Sequence, residues 1–260
     1  MEALRNAPKS RLGTVGNQPV PDSYEELSAD SPSAQPWQRR EDEWECLTPS
    51  CIYARYLRTP LLYGASLCCL PLAVLLALPV ALANFFAYGS LGKILFRQER
   101  IGRRGKAFVI FKFRTMLDDE SIPDHERVTR LGRFLRNTHL DELPQFINVL
   151  RGEMCLIGPR PEMSSVEGWA ARVHPRFSER LVLRPGITGW AQITQGYAAG
   201  GDSEAYHRKL VINRVYRARL SFGTDAMILV RTVAWMLLRR GWKPKELFVP
   251  RKEAELKQAA

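Results

Sequence analysis

The stretch TPLLYGASLCCLPLAVLLALPVALANFFAYGSLG, residues 59–92, runs for 34 residues without a charge. Arg55 and Arg58 precede it, and Lys93 and Arg97 follow. A helix crosses a bilayer with ~20 apolar residues, so this run has length to spare. Pro71 and Pro79 fall inside it. A proline in a helix interior removes a hydrogen bond and bends the axis. Two membrane geometries fit. A single tilted span puts the basic flanks on opposite sides, whereas a helix that breaks near Pro79 and turns back puts both on one side. The cytoplasmic bias of Lys and Arg favours the second. The competing account, a buried core helix of a soluble protein, needs fewer residues than are present.

Charge is distributed unevenly on either side of this run. Residues 1–50 hold five Lys/Arg against nine Asp/Glu, and the rest of the chain holds 33 against 18. The first 50 residues are rich in Pro, Ser and Asn without apolar periodicity, so we expect a disordered acidic tail. No apolar core follows the first few residues, which argues against a secretory signal. The strongly basic remainder suits polyanions: phospholipid headgroups, phosphorylated substrates or nucleic acid. Five cysteines (46, 51, 68, 69 and 155) in an odd, irregular set argue against a disulfide framework, and four His in the whole chain leave no zinc cluster.

After residue 92 the pattern turns polar and mixed. In ILFRQERIGRRGKAFVIFKFRTM, strand-like runs at 93–99 and 107–114 flank a Gly/Arg turn and predict a β-hairpin. Helical patterns follow at about 128–137, 142–150, 161–181 and 203–218. The apolar run DAMILVRTVAWMLLRR, residues 225–240, is interrupted by Arg231 and too short to span. With Trp235 and Trp242 near its basic end it suits a helix lying on a bilayer surface, or equally a core helix under the domain. The expected fold is α+β and mainly helical. Its parts are an acidic tail (1–50), a membrane segment (51–92), a catalytic domain (93–242) and a C-terminal tail (243–260).

The chemistry centres on NTHLDELPQFINVLRG, residues 137–152, where Asp141 and Glu142 adjoin. The plain account makes Asp141 an N-cap, Glu142 and Pro144 the first turn, and Gly152 the stop. A functional account uses the same geometry. A helix N-terminus lowers a carboxylate's pKa and attracts phosphate, and two adjacent acids can share a divalent cation. The surroundings favour function. Arg133 and Arg136 precede the pair, and GPRPE (158–162) fixes Arg160 between two prolines. LRPGITGW (183–190) holds Arg184 in the same manner, and Lys112 sits on an apolar strand. Fixed arginines clamp phosphate oxygens, so these cations around one acidic pair suggest diphosphate handling.

FKFRTM, LDELPQFINVLRGEMCLIGPRPE and RPGITGWAQI, in that order behind a proline-bearing apolar segment, resemble the bacterial sugar transferase family. These are the monotopic phosphoglycosyl transferases that start glycan assembly on a polyprenyl phosphate. The likeness runs from about residue 61 to 240. It implies a nucleotide-sugar donor (a UDP-sugar), an undecaprenyl phosphate acceptor and Mg2+. Asp141 would be the nucleophile that takes the sugar phosphate and releases UMP. Glu142 would share the Mg2+ with it, and Lys112, Arg136 and Arg160 would neutralise phosphate charge. Arg184 is a further candidate phosphate contact. The resemblance makes Pro79 the break of a re-entrant segment, with the domain on the cytoplasmic face of the bacterial inner membrane beside polysaccharide-assembly proteins. Two residues depart from the family pattern: Leu78 stands where relatives often have Ser, and Asn213 where many have Asp. These departures motivate one alternative, a membrane-bound scaffold with decayed catalysis. A nucleic-acid-binding module is permitted by charge, but no groove-reading or stacking motif supports it.

Overall fold

The β1 strand Leu95–Ile101 and the apolar β2 strand Ala107–Phe113 flank the Gly/Arg turn. They pair antiparallel with Phe96 opposite Lys112 and Arg100 opposite Phe108, which is the expected hairpin. The computed structural model of the chain describes residues 35–119, 121–122, 124–195 and 201–238. The expectations for residues 1–34 and for the C-terminal tail at 243–260 lie outside the described residues.

Residues 35–50 depart from the tail expected there. Glu41–Leu47 form helix α1, and Trp37 and Trp44 are buried. Two indoles supply the apolar area that this polar segment otherwise lacks. Glu41 and Glu45, one helical turn apart, both pair with Arg104 in the hairpin turn. Trp37 packs over Gly105, where a Cβ would lie 2.9 Å from the Trp37 carbonyl oxygen.

The uncharged run forms helix α2, Arg58–Tyr88, preceded by a wider turn at Tyr53–Leu57. The helical residues run from Arg58 to Tyr88 without a gap, and Pro71 and Pro79 lie inside them. Each proline deletes a donor, and such positions are where a helix bends. Arg58, Leu62, Ser66, Ala73, Val80 and Asn84 form a buried stripe at helical spacing. The other faces carry exposed Leu72, Leu75, Leu78, Leu82 and Phe86. Arg58 is no solvated flank. It pairs with buried Asp225 at 2.9 Å and donates to the Ile157 carbonyl and the Tyr216 hydroxyl. At the far end Asn84 Nδ2 donates to the carbonyls of Ile94 and Arg114. Both ends of the helix are thereby tied to one body.

That body continues with α3 (Asp124–Arg127), α4 (Arg130–Thr138), a 3-10 turn Leu140–Glu142, and α5 (Gln145–Leu150). Strand β3 (Cys155–Ile157) lies parallel to β4 (Gly186–Thr188), a pairing the sequence reading did not anticipate. The helix expected over 161–181 is split. Helix α6 (Ser164–Val173) stops before Pro175, which cannot continue its hydrogen-bond ladder, and a 3-10 stretch covers Phe177–Val182. Helix α7 is Trp190–Gln195, α8 is Ser203–Ala218, and α9 is Phe222–Leu238. The main core joins Trp44, Leu62, Ile101, Ile157, Leu181, Trp190, Tyr216 and Ile228, so α1, α2, both sheets, α8 and α9 share it. Helix α9 has one buried and one exposed apolar side. Asp225 and Ile228 are buried, while Val230, Val233 and Met236 are exposed.

Candidate functional site

Each side chain of the cleft is placed by a local device. Gly132 brings α4 onto the end of β2: a Cβ there would lie 1.9 Å from the Thr115 carbonyl oxygen. Thr129 caps the helix by accepting from the Gly132 N–H, and one turn later Arg136 Nε reaches the Thr115 hydroxyl at 2.9 Å. His139, with φ of 57°, ends α4 in the left-handed region and turns the chain into the dyad. Asn148 on α5 ties this segment to β2. It accepts from the Phe111 N–H and donates to the Val109 carbonyl. Lys112, between those two positions and Phe113, is thus held in register with the dyad.

The dyad is not where the cap pattern put it. Asp141 lies inside the 3-10 turn, the N-cap of α5 is Pro144, and the helix has only six residues. Pro144 lacks an N–H, so it cannot donate back to Asp141 as an ordinary first-turn residue would. Both carboxylates are buried, Asp141 at 7% and Glu142 at 6% exposure. Glu142 Oε1 accepts from Lys112 Nζ at 2.6 Å and from the Arg160 guanidinium at 3.3 Å. Burial alone would raise the Glu142 pKa, but Arg160 and Lys112 overcome it and hold the group at about 2. Asp141 goes the other way. Burial and the neighbouring Glu142 charge raise it to about 6, against the opposing pull of Lys112, Arg136 and Arg160. The expectation that a helix N-terminus lowers this carboxylate's pKa is therefore corrected: desolvation dominates. Burial also lowers the Lys112 pKa, with Glu142 opposing.

The Oδ1 atom of Asp141 is buried and has no hydrogen-bond partner among the described residues. An unpaired buried acceptor is costly, so this oxygen is held ready for a group that the protein itself does not supply. The cleft around it, of about 1160 Å³, is lined by Lys112, Arg136, Asp141, Glu142 and Arg160. Four of the five proposed polar partners of phosphate and the nucleophile thus converge as expected, but Arg184 does not line this cleft. Its neighbours are Arg103 and the Cys155 segment. Pro79 and Asn213 do not line it either. Sequence reasoning missed Arg97, Gln98, Arg100, Arg114 and Thr115, which also line the cleft. The hairpin register was the available signal: Phe96 pairs with Lys112, so Gln98 and Arg100, two and four residues on, share the Lys112 face.

Among the described residues no group of three or more His, Cys, Asp or Glu could hold a metal ion. Two carboxylates, one with an unpaired oxygen, fit Mg2+ in the manner typical of that ion, which takes its remaining ligands from water and substrate phosphate.

The family model for bacterial sugar transferases matches residues 57–239. An Aeromonas hydrophila protein named UDP-N-acetylgalactosamine-undecaprenyl-phosphate N-acetylgalactosaminephosphotransferase is 35% identical over 206 residues, covering 76% of this chain and 47% of that protein. The uncharacterized sugar transferase EpsL of Bacillus subtilis is 35% identical over 67% of this chain and 83% of its own length. A UDP-glucose:undecaprenyl-phosphate glucose-1-phosphate transferase of Caulobacter vibrioides is 39% identical over 64% of this chain and 63% of its own. The matched region thus spans about half to two thirds of the two relatives whose names state a reaction. With the family model covering most of its length, the chain belongs to the bacterial sugar transferase family.

Proposed function

We propose that the protein transfers a sugar 1-phosphate from a UDP-sugar to undecaprenyl phosphate and releases UMP. The step would initiate exopolysaccharide, capsule, O-antigen or glycan synthesis. The observation that carries this reading is the buried Oδ1 of Asp141, without a partner among the described residues, in a cleft where Lys112, Arg136 and Arg160 surround the dyad. The names of the relatives supply the donor and acceptor classes.

The chemistry divides among the chain's own residues. Lys112, Arg136 and Arg160 attract the diphosphate and lower the charge that its transition state must carry. Glu142, ionised far below neutral pH, keeps Lys112 and Arg160 charged and in place. Asp141 is mostly ionised above pH about 6, yet poorly solvated, which leaves its oxygen reactive. That oxygen attacks the sugar-bearing phosphorus, the bridging P–O bond breaks, and UMP departs with the electron pair. The lipid phosphate then attacks the resulting aspartyl phosphosugar and regenerates the carboxylate. Mg2+, when bound at Asp141 and Glu142, supplies charge neutralisation for phosphate oxygens.

The membrane reading rests on Tyr53–Tyr88, an apolar helix long enough to cross a bilayer and mostly unburied. Exposed leucine faces of this extent suit lipid rather than water. Its two ends are tied to the same body, at Asp225 and at the Ile94 and Arg114 carbonyls, so a bend at the inner prolines, rather than a gap in the helix, would return both ends to one face, the cytoplasmic one. The exposed apolar residues of α9 add to that surface. The relatives' names differ in the sugar, N-acetylgalactosamine or glucose. We assign sugar choice to the segment at 195–207, part of which lies outside the described residues.

The test uses purified protein in detergent with UDP-sugars, polyprenyl phosphate and Mg2+. The native protein releases UMP and carries a phosphosugar on residue 141, detected by mass spectrometry. Asp141→Asn releases none while remaining folded. UMP release that survives this substitution overturns the nucleophile assignment.

A further inference from the structure

Six arginines and Lys112 line the cleft, and they differ in whether their charge is already matched. Lys112 and Arg160 share Glu142, and Arg114 pairs with Asp118. Arg97 is exposed and lies over the Phe111 ring. Arg127 donates to the Leu117 carbonyl and is attracted to the Asp119 carboxylate. Arg136 and Arg100, beside the dyad, donate to neutral acceptors. Arg136 donates to the Thr115 hydroxyl, and Arg100 to the Gln98 side-chain carbonyl and the Pro161 backbone carbonyl. The Nε–H of Arg100 is buried and has no partner. Burial depresses the Arg100 pKa, with Glu162 opposing and Arg160 adding to the effect. A desolvated guanidinium without a matched counter-ion is costly, and its planar fork of donors fits a phosphate.

We propose that Arg100 binds the nucleotide-side phosphate of the donor, the one that departs with the leaving group. The inference rests on the diphosphate-donor reading above and deepens it. The two uncommitted arginines flank the dyad, Arg136 against Asp141 and Arg100 against Glu142 and Arg160. A diphosphate with its sugar-side phosphorus at Asp141 and Arg136 directs its second phosphate toward Arg100. When the Asp141 oxygen bonds to phosphorus and the bridging bond breaks, the electron pair leaves on that second phosphate. Arg100 meets the charge so created, and no proton moves.

Titration calorimetry of the full chain in detergent, with UDP and with UMP as ligands, tests this. Native protein is compared with Arg100→Gln and Arg100→Lys, and all three are melted to verify folding. Arg100→Gln should lose roughly tenfold to hundredfold in affinity for both nucleotides, the range for a charged hydrogen bond. Arg100→Lys, which keeps the charge but not the fork, should fall between Gln and native at an unchanged melting temperature. If Arg100→Gln does not fold, the Lys variant decides: native affinity there, or affinity lost only together with a lowered melting temperature, overturns the assignment. Native affinity in a folded Gln variant overturns it too, and leaves the donor reading standing. A native protein that binds neither UDP nor UMP overturns both.

Discussion

GPRPE at 158–162 and LRPGITGW at 183–190 have the same grammar, an arginine framed by proline and glycine, and the fold uses them in opposite ways. The first extends from β3 into the cleft and delivers Arg160 to Glu142. The second is the brace beneath it. Gly158 N–H donates to the Thr188 carbonyl at 2.8 Å, and Cys155 N–H to the Pro185 carbonyl at 2.8 Å. The backbones approach so closely that a Cβ on Gly186 would lie 2.1 Å from the Gly158 nitrogen. Glycine is needed here for contact between two backbone segments rather than for a turn. A proline-framed arginine therefore identifies a rigid backbone, and only its strand neighbours determine whether the side chain or the backbone is the useful part.

The largest effect expected from this contrast is on folding. Gly186→Ala forces β4 away from the loop that carries Arg160, in a region without slack. The expected cost is about 3 kcal/mol or more, enough to lower the melting temperature by many degrees or prevent folding. A Gly186→Ala protein that melts with the native one would show that the brace is not as tight as described. The second effect is on catalysis. Arg160→Ala should reduce kcat/KM by roughly 10²–10³, the usual cost of one transition-state charge partner. Arg184→Ala, outside the cleft, should stay within about threefold. Equal losses at the two arginines would erase the distinction between the motifs.

Local pattern identified what local forces decide. The hairpin followed from two strand-like runs around the Gly/Arg turn, and α8 spans 203–218 as its periodicity indicates. The β3–β4 pair was hidden because each strand has three residues and the partners lie some thirty positions apart. The strap at α1 was masked by its acidity, although Trp37 and Trp44 were the visible exception in that polar stretch. Asp141 and Glu142 were legible as a pair, but their roles were not. Which carboxylate is satisfied depends on Lys112 and Arg160, which are brought to Glu142 from other elements. Pro79 was legible as a missing donor inside an apolar run, and it lies inside the helical residues 58–88, but the sequence carries no sign of the Asp225, Ile94 and Arg114 partners that tie both ends of that helix to one body.

The smallest effect isolates the difference between a braced region and a strained one. Asp141 has a folded pKa of about 6 against an ordinary 3.8. Below pH about 4 the group is protonated in both folded and unfolded chains and costs nothing. As pH rises through 6 the folded state must ionise a buried carboxylate, and stability is lost by up to roughly 2–3 kcal/mol. Glu142 has the opposite sign. Its folded pKa of about 2 contributes stability above its ordinary 4.5, which is lost as pH falls toward 2. Asp141→Asn keeps the shape and removes only the first contribution. It should melt several degrees above native protein at pH 7, with the gain vanishing near pH 4. In the native enzyme the same titration should appear as an acid limb of kcat/KM centred near pH 6, with activity falling tenfold per unit below it. A variant no more stable than native at pH 7 would mean that the unpartnered oxygen is not strained, and the stabilising brace would then have no destabilised site to offset.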